Sequence, residues 1–263
     1  GYHPRTFIMT PETMKLISYE DVNHIYETAF DDASAFTFII TGNVDESEAL
    51  KMAEKYIGSL PSKYLTETWK DNGVKQPAGT VRKEIPVPLT VPKARVLMNY
   101  SSELRFNPKN NLMMDVLKAI LDLVYNEKVR EDEGGTYSVS TGATSYKRPA
   151  EKADLLITFE CDPARASELK GIIYRELQEI ASNGPSQVNL EKAVSNMLKT
   201  RDEEKQHNSY WADKVTSYYV YGIDNNDESN FAGILNKLTV KDMKKMVKKY
   251  LAKNLQAKKT FSF

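Results

Sequence analysis

Between Pro61 and Pro92 the chain carries Pro61, Pro77, Pro86, Pro88 and Pro92, with Gly73 and Gly79 among them. Proline lacks an amide proton and locks φ, so neither a helix nor a central strand can run through such a stretch. The segment predicts a linker leading into one extended piece over 80–87, with a domain boundary between about Ser62 and Gly79. The fold is thereby constrained to two bodies: residues 1–62, a linker over 63–79, and residues 80–263.

The first body predicts helices around one lone strand. Thr10-Pro11-Glu12 and Ser18-Tyr19-Glu20-Asp21 are helix starts, each with a capping hydroxyl and first-turn proline or acids. Val22, Ile25, Tyr26 and Ala29 follow at helical spacing. Phe36–Ile40 is rich in β-prone residues and predicts a strand. The turn Thr41-Gly42-Asn43-Val44-Asp45 leads into a helix over 46–57, which Gly58 and Pro61 end. One strand makes no sheet, and its unpaired edges are sticky. Residues 36–40 are therefore expected to pair with another chain, through strand-mediated self-association, to dock on the second body, or to be poorly ordered.

The second body predicts a complete domain. Ala94–Tyr100 alternates Val96, Met98 and Tyr100 against Arg95, Leu97 and Asn99, the pattern of a half-buried strand. A helix from Pro108 to Val129 carries the apolar stripe Met113, Val116, Leu117, Ile120, Leu121 and Val124. Strands over 136–146 and 153–160 form a hairpin. Helices follow over 164–181, from Ser186 to about Lys205, and over 209–221, 228–238 and 240–252, with Asn183-Gly184-Pro185 as the stop between the first two. The order predicts an α+β two-layer sandwich: one mainly antiparallel sheet with helices on one face.

Lys+Arg and Asp+Glu each number 36, so the formal net charge is zero. That argues against nucleic acid or an anionic membrane as the main partner. No apolar run is long enough to span a bilayer. The single cysteine, Cys161, allows no internal disulfide and reads as a small buried side chain. Gly1-Tyr2-His3-Pro4-Arg5 lacks an initiator Met, so the chain is expected to be a piece of a longer protein. Asp31-Asp32 and Asp224–Asp227 read as solvated acidic loops. Tyr210, Trp211, Tyr218, Tyr219 and Tyr221 read as core, with a peptide-binding wall as the alternative.

The stretch Val129–Val139 sets Arg130 and Tyr137 across a Gly134-Gly135 turn. A guanidinium is a rigid fork of donors, and a phenol is a donor on an apolar body. Together they suit a peptide carbonyl or a developing oxyanion. On spacing alone they equally suit a helix end and a strand residue packed on the core.

Arg130-Glu131…Gly135-Thr136-Tyr137-Ser138-Val139 is similar to the "Arg-Glu…Gly-x-x-Tyr-Ser-Val" signature of the insulinase/pitrilysin family of zinc peptidases, the inverzincins. Phe36–Asp45, Ala49-Leu50 and Tyr56-Ile57-Gly58-Ser59-Leu60-Pro61 resemble the family's strand, glycine-acid turn, helix and terminal "Gly-x-Leu-Pro". The later order of hairpin, helix, Asn-Gly-Pro turn and long helix resembles it as well, and the resemblance covers nearly the whole chain. It implies a metallohydrolase-like α+β domain over 80–263, preceded by the tail of a homologous domain over 1–62. It further implies the C-terminal, substrate-binding portion of a zinc-dependent metalloendopeptidase that hydrolyses peptides in a closed chamber, with Arg130 and Tyr137 as the substrate-binding pair. Zinc, and the catalysis, would belong to the N-terminal half of the same peptidase or to a zinc-bearing partner subunit.

This chain has no H-x-x-E-H. His24-Ile25-Tyr26-Glu27-Thr28 has Thr28 where the second imidazole must stand, and a zinc site needs three protein ligands. His24 and Glu27 read as helix-surface residues. His3 and His207 have no metal-ligand spacing to each other or to Cys161. The chain by itself is therefore expected to hold no metal and to be inactive. The alternative function is a non-catalytic Arg/Tyr-bearing subunit or scaffold that binds peptides or partner subunits. A periplasmic or otherwise exported location is expected if an export signal precedes the N-terminal half.

Overall fold

In a computed structural model, the described residues are 9–66, 68–74, 79, 81–86, 88–131, 139–252 and 259–262; for 130–131, 249–252 and 259–262 only the backbone is described. The chain forms two compact units, Gly1–Gln76 and Pro77–Phe263.

In the first unit, local capping places the helices. Thr10 caps α1 (Pro11–Met14) through a reciprocal pair with Thr13, Ser18 caps α2 (Tyr19–Phe30), and Asp45 caps α3 (Glu46–Met52). The α3 spiral widens into a π-helical turn over Ala53–Ile57 and stops at Gly58. The predicted strand over 36–40 does not form: those residues join no ladder. The backbone is extended at Phe36, yet among the described residues of the unit no partner strand supplies the hydrogen bonds that would make it a strand.

Asp32 is a second correction. It is no solvated loop acid but a buried anchor. Its carboxylate accepts from the amides of Ser34, Lys63 and Leu65 and from the Ser34 hydroxyl. Ala33 N–H donates to Pro61 O at 2.8 Å, so residues 61–65 are tied back onto the turn after α2.

The second unit is a five-stranded sheet in the order β1-β5-β2-β4-β3, built from β1 (Arg82–Glu84), β2 (Ala94–Glu103), β3 (Val139–Tyr146), β4 (Lys152–Cys161) and β5 (Lys259–Ser262). Only the β1–β5 pair is parallel. β4 pairs with β2 from Ala94↔Cys161 to Glu103↔Lys152, and with β3 from Val139↔Phe159 to Tyr146↔Lys152. Alternation then sorts the side chains. Val96, Met98, Tyr100, Leu155, Ile157 and Phe159 point into the core. Arg95, Asn99, Ser101, Asp154, Leu156 and Thr158 occupy the other face, half-buried or exposed.

The core face is roofed by α4 (Pro108–Tyr125), α5 (Ala166–Asn183) and α9 (Val240–Ala252), which supply Met114, Leu117, Ile120, Leu169, Ile173 and Val247. Each side chain of this size contributes roughly 1.5–3 kcal/mol on full burial, so these layers are what hold the unit together. The unit is the α+β sandwich with helices on one face. α6 (Gln187–Glu204), α7 (Asn208–Tyr221) and the short α8 (Ala232–Leu235) complete it.

Candidate substrate-binding site

The Arg130–Tyr137 segment joins the end of α4 to the start of β3. Asn107 caps α4 by accepting from Asn110 N–H, and Pro108 opens its first turn. At the far end α4 passes into a π-helical turn over Asn126–Glu131. Such wide turns are uncommon and cluster at functional positions. This one is anchored from below by Tyr125 and Val129, both fully buried; the Tyr125 hydroxyl donates to Ile173 O at 3.4 Å. Arg130 follows Val129 in this turn, and its side chain lies outside the described residues. Tyr137 lies outside them altogether. Val139, two residues on, is buried and begins the ladder to β4.

β3 is a terminal strand of the sheet: it pairs with β4 on one side and with no other described strand. An unpaired edge offers free amides and carbonyls to an extended chain. Across the face of the sheet remote from the helices runs a polar group at one end. Ser101 donates its hydroxyl to Asp154, Lys152 pairs with Asp154 at 3.2 Å, and the Lys152 ammonium lies 4.6 Å from the centre of the Tyr146 ring. At the other end Lys93 pairs with Glu160. Hydroxyls, paired charges and a ring on an open sheet face can contact a peptide backbone. They contain no nucleophile–base pair.

His24 and Glu27 are exposed on α2, and Glu27 accepts from Asn23 Nδ2 at 2.8 Å. Among the described residues no group of three His, Cys, Asp or Glu side chains could hold a metal. His3 lies outside the described residues. The aromatic run on α7 corrects the core reading. Tyr210 alone is buried, whereas Trp211, Tyr218, Tyr219 and Tyr221 are exposed, because α7 packs through one narrow face only.

Sequence reasoning missed Arg201. It is buried within α6, donates to Tyr210 Oη, Glu228 and Asn226 O, and lies 4.2 Å over the Phe231 ring. A basic residue in a helix with polar neighbours is ordinarily a surface residue, so no local signal marked it.

A sequence profile described as "Peptidase M16 inactive domain" matches residues 16–197. The chain belongs to that family, the inactive-domain class of the insulinase-type zinc peptidases. The "Zinc protease PQQL-like" of Arabidopsis thaliana is 24% identical over 219 residues, covering 76% of this chain and 22% of that protein. The solved structure of the periplasmic protease PqqL from Escherichia coli superposes with a TM-score of 0.65 at 20% identity, over 84% of this chain and 24% of that one. The ferredoxin protease FusC, solved in complex with Arabidopsis ferredoxin, superposes with a TM-score of 0.72 at 16% identity, over 97% of this chain and 28% of that one. The chain spans a quarter or less of the curated relatives it matches. Among the described residues no helix is long and apolar enough to cross a membrane.

Proposed function

We propose that this chain is the C-terminal, substrate-binding portion of a zinc-dependent metalloendopeptidase that closes on peptides, and that Arg130 and Tyr137 are its substrate-binding pair. What supports the reading is family membership together with chain order: the end of α4, the Arg130–Tyr137 segment and an edge strand follow one another directly.

Among the described residues no group of His, Cys, Asp or Glu makes a zinc site. The metal and its activated water would come from the N-terminal half of the same peptidase or from a zinc-bearing partner subunit. This chain would bind and orient. An extended peptide adds to the free edge of β3 through main-chain hydrogen bonds. The Arg130 guanidinium holds a backbone carbonyl or a terminal carboxylate, and the Tyr137 hydroxyl donates to the tetrahedral oxyanion.

Unit 1 is the tail of a preceding homologous domain in this reading. Its apolar side chains support that. Asp32 is its sole buried described residue, while Ile25, Tyr26, Phe30 and Phe38 are exposed, an arrangement that suits a surface made to pack on more protein.

The test is Tyr137→Phe in the full-length protein. Losing one oxyanion donor is expected to lower kcat about 10²- to 10³-fold with a smaller change in KM. An unchanged kcat removes Tyr137 from the role. Zinc analysis of the same preparation separates this reading from a non-catalytic subunit, in which no metal would be held.

A further inference from the structure

Gly142 lies in the middle of β3, on the sheet face remote from the helices. Alternation puts Ser140, Gly142, Thr144 and Tyr146 on that face and Val139, Thr141 and Ala143 against the core. A glycine inside a strand destabilises it, because it orders a freer backbone and packs no side chain. It is ordinarily kept where the backbone needs a positive φ or a bulge, or where a neighbour leaves no room for a Cβ.

None of these reasons operates at Gly142. The ladder to β4 runs without a bulge from Val139↔Phe159 to Tyr146↔Lys152, and Gly142 has no positive φ. A Cβ built there would meet Leu156 Cβ and Leu156 O at 3.9 Å, ordinary van der Waals contact, and nothing closer beyond its chain neighbours. Among the described residues the fold has room for a side chain at this position and carries none.

What the missing side chain uncovers is Leu156. It is the partner of Gly142 on β4, is 38% exposed in the middle of the sheet, and has Asn99 of β2 on its other side. Ser140 and Thr144, both exposed, flank Gly142 along β3. The result is a shallow notch with bare backbone as its floor and a leucine at its inner end. β3 pairs with no other described strand, so the notch opens onto the free edge.

A strand added to that edge sets its residue opposite Gly142 on this same face. Adjacent strands lie about 4.8 Å apart, so Leu156 is roughly 10 Å from the added backbone, one strand beyond Gly142. A small side chain does not cross that distance. A phenyl or indole ring laid over the glycine backbone does, and aromatic rings laid over glycines stabilise sheet edges.

We propose that Gly142 and Leu156 form a side-chain subsite of the β3 edge, which selects extended peptides carrying a bulky aromatic residue opposite Gly142. This subsite rests on β3 being the peptide-binding edge proposed above, and it adds which peptides the edge takes. β3 of a second copy offers Tyr146 as its one aromatic, and that ring already faces the Lys152 ammonium at 4.6 Å, so the occupant is a separate peptide.

The test titrates the isotope-labelled 263-residue chain with the peptides Ac-Lys-Thr-Val-Thr-X-Thr-Val-Thr-Glu-NH2, where X is Gly, Ala, Leu or Phe. Affinity is expected to rise in that order, with Phe about fivefold tighter than Ala. Amide shifts should map to residues 139–146, and the Phe ring should show NMR contacts to the Leu156 methyls. Gly142→Thr fills the notch with a β-prone side chain that the fold has room for. It should keep its Tm and bring the Phe-to-Ala ratio to about one. Leu156→Thr, at an exposed position, should lower the same ratio from the other end of the notch. If no peptide of the series binds, or if binding leaves the β3 amides unshifted, the edge reading fails and the subsite with it. If the peptides bind along β3 but Phe and Ala bind equally, or if Gly142→Thr and Leu156→Thr keep the preference, the subsite is overturned while the edge stands. A peptide-free dimer whose β3 amides shift on dilution assigns the edge to a second copy and overturns the subsite as well.

Discussion

Arg201 Nε donates to the phenolic oxygen of Tyr210 at 3.1 Å, and both side chains are buried. With its other nitrogens on Asn226 O and Glu228, and Phe231 beneath it, one guanidinium joins α6, α7 and the loop that leads to α8. The predicted continuous helix over 228–238 is interrupted there. Phe231 leaves helical geometry at φ −127° and ψ −85°, and only Ala232–Leu235 is α-helical. Within that segment Glu228 and Phe231 are both held by Arg201, and these tertiary contacts outweigh its weak local helical preference.

Arg201→Lys should therefore destabilise the fold by about 2 kcal/mol, because an ammonium cannot reproduce the fork and its bonds to charged or buried partners contribute about 1.5–3 kcal/mol. Chemical denaturation followed through Trp211, which lies beside Tyr210, measures it. A loss no larger than a typical surface substitution, within about 0.5 kcal/mol, would remove Arg201 from this role.

Gly184 ends α5 at φ +88°, and a Cβ there would meet Val240 Cγ1 at 2.5 Å and Val240 O at 3.2 Å. Gly184→Ala thus meets both left-handed backbone strain and the first turn of α9. The expected cost is about 2 kcal/mol or more, seen as a lower Tm. An unchanged Tm would mean that α9 can shift without loss.

Two carboxylates titrate in opposite directions. Hydrogen bonds from Ser34, Leu65 and Lys63 hold the Asp32 carboxyl far below the usual carboxylate range. Its contribution is fully present above about pH 4 and is lost as pH falls toward its folded value. The protection factors of the Lys63 and Leu65 amides, taken against intrinsic exchange at each pH, should fall below about pH 4, and Asp32→Asn should lower them already at neutral pH. Asp115 has the reverse sign: its folded value of about 6 lies above the unfolded one. Stability falls as pH rises from about 4 to about 6, so Asp115→Asn should raise Tm at pH 7 and leave it unchanged at pH 4. Lys118, Lys214 and Glu204 face that group, and equal effects at both pH values would assign the change to packing.

The isolated chain is expected to hold no stoichiometric zinc and to cleave no peptide. A zinc-peptidase site needs three protein ligands and an open position, and no such group occurs among the described residues. Elemental analysis after dialysis measures this. One tightly held zinc per chain would contradict it.

The elements written in local signals were legible in the chain. Side-chain caps at Thr10, Ser18, Asp45 and Ser186 and the stop at Gly184 all depend on residues within four positions of one another. The alternation of β2 assigned its two faces, because a strand exposes every second side chain whatever its partner. What required distant residues was not legible. β5 is four residues long and exists as a strand only because β2 and β1 flank it. Phe36–Ile40 is rich in β-prone residues but pairs with no described strand, and it forms none.

Local chemistry in the amino-acid order decided where helices begin and end, which side of each strand is apolar, and that the chain has no H-x-x-E-H. Contacts between residues far apart decided the rest: that Asp32 and Arg201 are buried, and that only one α7 aromatic is core. Burial of a polar side chain costs free energy unless its partners converge from several segments, and a linear order does not reveal that convergence.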